Sequence, residues 1–272
     1  RVELIADAYY KKTDNLLMQA SLPTYVSGLI GAPWVNAGAM TNKGVEFTLN
    51  TRNILTHDFT WTSGLTFSIN RNEVTKLYSE SSAISGINGN ETLTYTMVGE
   101  PVGQFYGYKV IGMFKEESDF YKKDADGNFQ LDEAGNRIRI AIPKGQQISK
   151  NGIWVGDYIY EDLHEDGVID EKDRTFLGNP APKFTFGFNN YFAYKGFDLN
   201  IFLNGSVGNK AVNLIRRTFT DPMRNSNLLK EATDIALIGM HDPEVGDEEL
   251  SNVYIVNADR AKVQRVTTSS AN

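Results

Sequence analysis

The chain contains no cysteine, so disulfide scaffolds, thiolate metal sites and cysteine nucleophiles are excluded. It has three histidines, His57, His164 and His241, too scattered to form a zinc constellation. It has no excess of positive charge. Lys and Arg total 27 against 34 Asp and Glu, a net charge of -7, which argues against a nucleic-acid partner. There is no apolar run of about 18 residues, so no transmembrane helix is expected. That absence leaves barrel strands open, because a barrel strand shows lipid only every second residue. No P-loop, dinucleotide fingerprint or serine nucleophile elbow is present, and no carboxylate pair stands out among the many acids. No enzymatic activity is expected.

What the chain does have is 13 Tyr, 15 Phe and 24 Gly in 272 residues, a mixture that favours strands and turns. The hydrophobic period is two, repeatedly. In FTWTSGLTFSIN, Phe59, Trp61, Leu65, Phe67 and Ile69 share one face, against Thr60, Thr62, Gly64, Thr66, Ser68 and Asn70. GVEFTLN, KFTFGFNN, FDLNIFLNG and the opening VELIADAYY repeat the pattern, giving strands near residues 2–10, 44–51, 59–69, 183–193 and 197–207. Alternation alone suits a soluble sandwich as well as a barrel wall. The connections separate the two. The links after 51 and 194 are short, whereas more than a hundred residues lie between Asn70 and Lys183. Structureless loops that long are uncommon in compact soluble domains, while outer-membrane barrels alternate short periplasmic turns with long extracellular loops. The expected fold is therefore all-β: antiparallel strands of an outer-membrane β-barrel, with a long extracellular loop at about 71–182.

Four ordered blocks carry a resemblance. They are ADAYYKKTDNLL at the start, NAGAMTNKGVEFTLN with the following FTWTSGLTFSINRNEVTKL, VGEPVGQFYGYKVIGMF, and GDYIYEDLHEDGVIDEKDRTFLGNPAPKFTFGFNNYFAYKGFDLNIFLNGSVGN. Together they resemble the late barrel strands of the SusC/RagA family of TonB-dependent outer-membrane transporters from Bacteroidetes-type bacteria. The resemblance covers roughly residues 1–210, and the tail 210–272 matches only loosely. It implies a longer whole protein with a signal peptide, a TonB-contacting segment, a plug and a barrel of about 22 strands. None of those N-terminal parts is in this sequence, and RVTTSSAN does not read as a barrel-closing strand, so the chain reads as a partial barrel domain. The resemblance further implies a location in the outer membrane, in contact with its lipid, and a SusD-like surface lipoprotein as cap. It implies energy from the TonB complex through the missing parts, and a glycan or peptide as cargo. No cofactor is required.

EDLHEDGVIDEKD matches an EF-hand-type loop with Asp162, His164, Asp166, Val168 (by its carbonyl) and Asp173 at the ligand positions, Gly167 at the bend and Ile169 at the usual apolar position. His164 stands where Asp or Asn is usual, and Asp173 is shorter than the usual Glu. The loop is either a weak calcium site or an Asp-Gly turn that orders itself without metal. DADGNFQLD (124–132) has acids too and reads as a hairpin turn. Trp34, Tyr106, Tyr108 and Trp154 are aromatics outside the strand pattern that either stack on sugar rings or pack the loops. The alternative to a transporter is a secreted β-rich glycan-binding module with a calcium-ordered loop. A glycoside hydrolase comes third.

Overall fold

The computed structural model describes residues 1–19, 33–78, 84–88, 91–221 and 227–266. In chain order its strands are β1 (Val2–Gln19), β2 (Trp34–Leu55), β3 (Phe59–Lys76), β4 (Ile84–Asn88), β5 (Glu91–Thr96), β6 (Gln104–Tyr108), β7 (Val110–Met113), β8 (Ile142–Pro143), β9 (Tyr158–Tyr160), β10 (Val168–Ile169), β11 (Arg174–Gly178), β12 (Phe184–Tyr194), β13 (Phe197–Val207), β14 (Ile238–Met240) and β15 (Val253–Ile255). A short helix, α1 (Leu214–Phe219), follows β13. The chain divides into two compact units: 1–107 with 176–211, and 108–175 with 212–272.

The first unit is built on a five-stranded antiparallel sheet in the order β1-β2-β3-β12-β13. All five strands expected from the alternation are present. Their register is continuous through the apolar rows: Leu4 faces Leu49, Leu49 faces Leu65, Leu65 faces Phe188, and Phe188 faces Leu203. Because the side-chain period is two, this register places the whole apolar set on one side. That side is uncovered: Val2 is 70% exposed, Leu4 59% and Phe197 81%. At ~3.3 Å per residue the run from Phe59 to Ile69 is about 33 Å long, and a strand tilt of ~35–45° brings it to roughly 25 Å, the height of a barrel's apolar band.

One row on this face is polar: Thr51, Ser63 and Asn190 lie side by side. They satisfy each other. Trp61 Nε1 donates to Asn190 Oδ1 at 3.1 Å, Ser63 Oγ to the same oxygen at 2.7 Å, and Asn53 Nδ2 to Ser63 Oγ at 2.7 Å. Mutual pairing is what a low-dielectric surround demands of such groups.

The turns after β2 and β12 are short and lie at the same end of the sheet. The excursion between β3 and β12 leaves from the other end. Strands β1, β2 and β3 outrun the alternating segments. β3 continues to Lys76, so the excursion starts later than residue 71. Apart from Val74, residues 70–76 are polar, which hides the period, yet Lys43 pairs with Arg71 and Met40 with Val74. Past the reach of β12, Val74 exchanges backbone bonds with Glu100 and Gly99 (3.0 and 2.8 Å). A small core of Met18, Val74 and Leu77 forms there. The excursion is not one loop: β11, β6, β5 and β4 form a four-stranded sheet, with Tyr95 stacked on Tyr106 at 4.6 Å.

The second unit has little regular structure and its own core: Phe114, Phe120, Ile153, Trp154, Val155, Ala236, Val253 and Ile255. Phe114 and Phe120 stack at 4.0 Å. The tail is integral to it. Ile255 N–H donates to Lys115 O, and Ala236 N–H to Val263 O. Trp154 is 3% exposed and belongs to this core, which removes it from any sugar-stacking role.

Candidate functional site

The acidic loop lies in the second unit. Ile169 is buried, and β10 pairs in parallel with β8, fixing the middle of the loop. Gly167 has φ +82°, a left-handed conformation that favours glycine, so the bend is located by residue type. Asp162 Oδ2 accepts from the Gly167 amide at 2.9 Å, and Asp166 Oδ1 from the Val168 amide at 3.1 Å. Asp173 is 1% exposed and holds three amides: Leu163 (2.9 Å) and His164 (3.4 Å) on Oδ1, and Asp170 (2.8 Å) on Oδ2. With Asp170 it forms a reciprocal capping box on the 3-10 turn 171–173. Burial acts to raise the Asp173 pKa, but the amides of Asp170, Leu163 and His164 outweigh it, and the carboxyl lies below its ordinary range.

The five expected ligands are thus in one loop, with Gly167 at its bend. Asp162 Oδ1 is buried without a hydrogen-bond partner. The side chains do not converge: among the described residues no three carboxylates or imidazoles gather where an ion could sit. His164 leans on Asp173 instead, Nδ1 to Oδ1 3.6 Å.

The other acidic stretch is a pair of Asp-x-x-Gly-Asn turns. Asp124 Oδ1 accepts from the amides of Asp126 and Asn128, and Asp132 Oδ1 from those of Ala134 and Asn136. The bonds from Asn128 and Asn136 hold both carboxyls below the usual range.

Sequence reasoning gave no warning of the strongest electrostatic feature. Arg265 is buried against Asp157 in a two-pronged pair: Nε to Oδ1 and Nη2 to Oδ2, both 3.0 Å. Its remaining donors reach Lys150 O and Gly152 O, and Asp157 also accepts from the Trp154 amide at 2.8 Å. Burial pushes the Asp157 carboxyl up, and Arg265 works against that shift. The two residues are 108 positions apart, and no local signal links them.

An antiparallel sheet, apolar on one uncovered face over about one bilayer height and joined by short turns at one end, defines the wall of an outer-membrane β-barrel. The comparisons give the family. The chain is 36% identical over 217 residues (78% of this chain, 19% of the relative) to TonB-dependent receptor P3 of Formosa agariphila. It is 25% identical over 270 residues (96% of this chain, 23% of the relative) to TonB-dependent receptor SusC of Bacteroides thetaiotaomicron. Among solved structures it resembles the RagAB peptide transporter, with a TM-score of 0.64, 19% identity, and coverage of 99% of this chain and 24% of that one. The RagAB peptide importer in its closed-closed state gives 0.60 and 20%, covering 93% of this chain and 24% of that one. No protein-family model matches. The chain belongs with the SusC/RagA-type TonB-dependent outer-membrane receptors, and it spans about a fifth of the length of the curated relatives it matches.

Proposed function

We propose that this chain supplies part of the wall and surface structure of an energy-coupled outer-membrane importer for glycans or peptides. The observation that carries this is the five-stranded wall with an uncovered apolar face about 25 Å high, in a chain 36% identical to a TonB-dependent receptor. The solved neighbours are peptide importers, and SusC is named as a TonB-dependent receptor. A SusD-like lipoprotein would cap the barrel from outside, with TonB supplying energy from the periplasm through parts of the protein outside this sequence. Cargo would be captured between cap and barrel and released inward when the plug rearranges. A secreted glycan-binding module fits less well, because a water-facing sheet would not leave Leu4, Leu199 and Leu203 uncovered in register.

Antiparallel parity sets the turns at 56–58 and 195–196 at the end opposite the excursion 77–183; with short turns on the periplasmic side, as in outer-membrane barrels, the excursion would lie outside. An epitope tag inserted in the full-length protein near Gly127 should be reached by antibody on intact cells, and cargo uptake should stop when TonB is depleted. A tag reached only after the outer membrane is broken would invert the topology. Uptake that persists without TonB would remove the importer reading.

The acidic loop is proposed as a weak calcium site that stiffens this outer structure. The free Asp162 Oδ1 would serve as ligand, with Asp166 and the Val168 carbonyl. Extracellular sites of this kind work at roughly 0.1–1 mM. His164→Asp should tighten calcium-dependent protection of the loop from protease, and Asp166→Ala should remove it. Asp173→Ala should loosen the loop with or without calcium, since its bonds are to amides. If calcium changes protection in none of the proteins, the loop is a self-ordered turn.

A further inference from the structure

Residues 121–139 fold into a small knot of two successive turns, at 124–128 and 132–136. Three backbone bonds close it: Lys122 N–H to Ile138 O, Gln130 N–H to Lys122 O, and Ile138 N–H to Gln130 O, at 2.8–2.9 Å. Isolated bridges join Tyr121 to Arg139, Lys123 to Phe129 and Leu131 to Arg137. Tyr121, Lys123, Phe129, Arg137 and Arg139 come together as a ladder of alternating cations and rings. The Arg137 guanidinium is 4.1 Å from the Phe129 ring centre and 5.6 Å from that of Tyr121. Arg139 is 5.5 Å from Tyr121, and the two rings meet edge-on at 6.0 Å.

The charges around this ladder are unevenly used. Lys123 Nζ is engaged by Ser118 Oγ (3.0 Å) and Asp119 Oδ1 (3.5 Å). Asp124 and Asp132 are turned into their own turns. Arg137 and Arg139 are exposed and have ring contacts but, among the described residues, no carboxylate partner. A guanidinium held against a ring keeps its N–H edge open, a fork ready for a carboxylate or sulfate. Beside the ladder, and sharing Tyr121 and Lys123 with it, is a cleft of about 320 Å³ also lined by Asp119, Lys122, Gln130 and Ile140. Its mixture of donors and acceptors suits hydroxyl groups, and the Tyr121 ring and Ile140 suit the carbon face of a sugar. An acidic peptide would use the arginines but not the hydroxyl-matching cleft.

We infer that this face binds an anionic glycan, a chain carrying uronate or sulfate groups, with the acid on Arg137 and Arg139 and a neighbouring sugar in the cleft. The inference rests on the importer reading, in which the knot faces the external medium, and names the charge class of the glycan captured there.

The test is calorimetric titration of the full-length protein in detergent with an oligouronate, a neutral glucan of equal length and an oligoglutamate. The oligouronate should bind best, and added salt should weaken it. Replacing both arginines with Ala should weaken oligouronate binding about tenfold or more, the factor expected for one lost charge-assisted hydrogen bond. Replacing both with Lys should restore only part of it, because the fork is lost while the charge stays. Three results would each overturn the inference: equal oligouronate binding by the native protein and the Ala variant, glucan bound as tightly as oligouronate, or oligoglutamate bound more tightly than oligouronate. The importer reading is judged separately, by location in the outer membrane and by TonB-dependent uptake.

Discussion

Arg265→Ala should open the second unit. The substitution leaves Asp157, 2% exposed, as a buried carboxylate without its counter-charge, and strands the carbonyls of Lys150 and Gly152. Removing one partner of a buried ion pair costs about 3–5 kcal/mol, far more than any exposed pair in this chain would. The place to read it is amide hydrogen exchange in the full-length protein. Protection around 150–157 and 253–265 should fall by two or more orders of magnitude, with β1–β3 and β12–β13 unchanged. Arg265→Lys should recover only part of the protection, since it restores the charge but not the two-pronged geometry. Gly156→Ala should weaken the same region. Gly156 has φ +97°, and a methyl there would come within 2.9 Å of Arg265 Cβ. Unchanged protection in Arg265→Ala would mean that the ion pair does not hold the tail to the core.

The second large effect is expected at Leu65. It lies near the middle of the apolar band, between Leu49 and Phe188. Leu65→Arg puts a charge where lipid hydrocarbon should be, at a cost of about 2–4 kcal/mol at the bilayer midplane. Outer-membrane levels of the full-length protein should drop, and refolding into lipid vesicles should shift to lower denaturant. Asn50→Arg, in the adjacent row on the opposite face and beside Glu3, should be tolerated. If the two variants behaved alike, the inside and outside of this wall would have been assigned wrongly.

The wall was legible in the sequence because a strand's faces are written in its own residues. Phe59, Trp61, Leu65, Phe67 and Ile69 fall on one side whatever else the chain does, and the short links fix which strands are neighbours. The bend of the acidic loop was legible for a similar reason: Gly167 takes the left-handed conformation, and Asp162 accepts from its amide. What the sequence hid has no period. Residues 70–76 extend β3 with polar side chains everywhere but at Val74, too little to show a period, and it is pairing with β2 that marks them as strand. Trp154 read as a loop aromatic, yet it sits in a core drawn from 114–155 and 236–255. The tail from 210 read as a loose match, yet it delivers Arg265 to Asp157 across 108 positions.

The sequence by itself therefore determined the five wall strands, their apolar face and the two short turns between them, because those follow from alternation and local backbone preference. Only the tertiary structure decided that the excursion holds a second packed unit, and which distant residues complete its core. Burying a charge is tolerable only beside its partner, and no short-range pattern records where that partner lies.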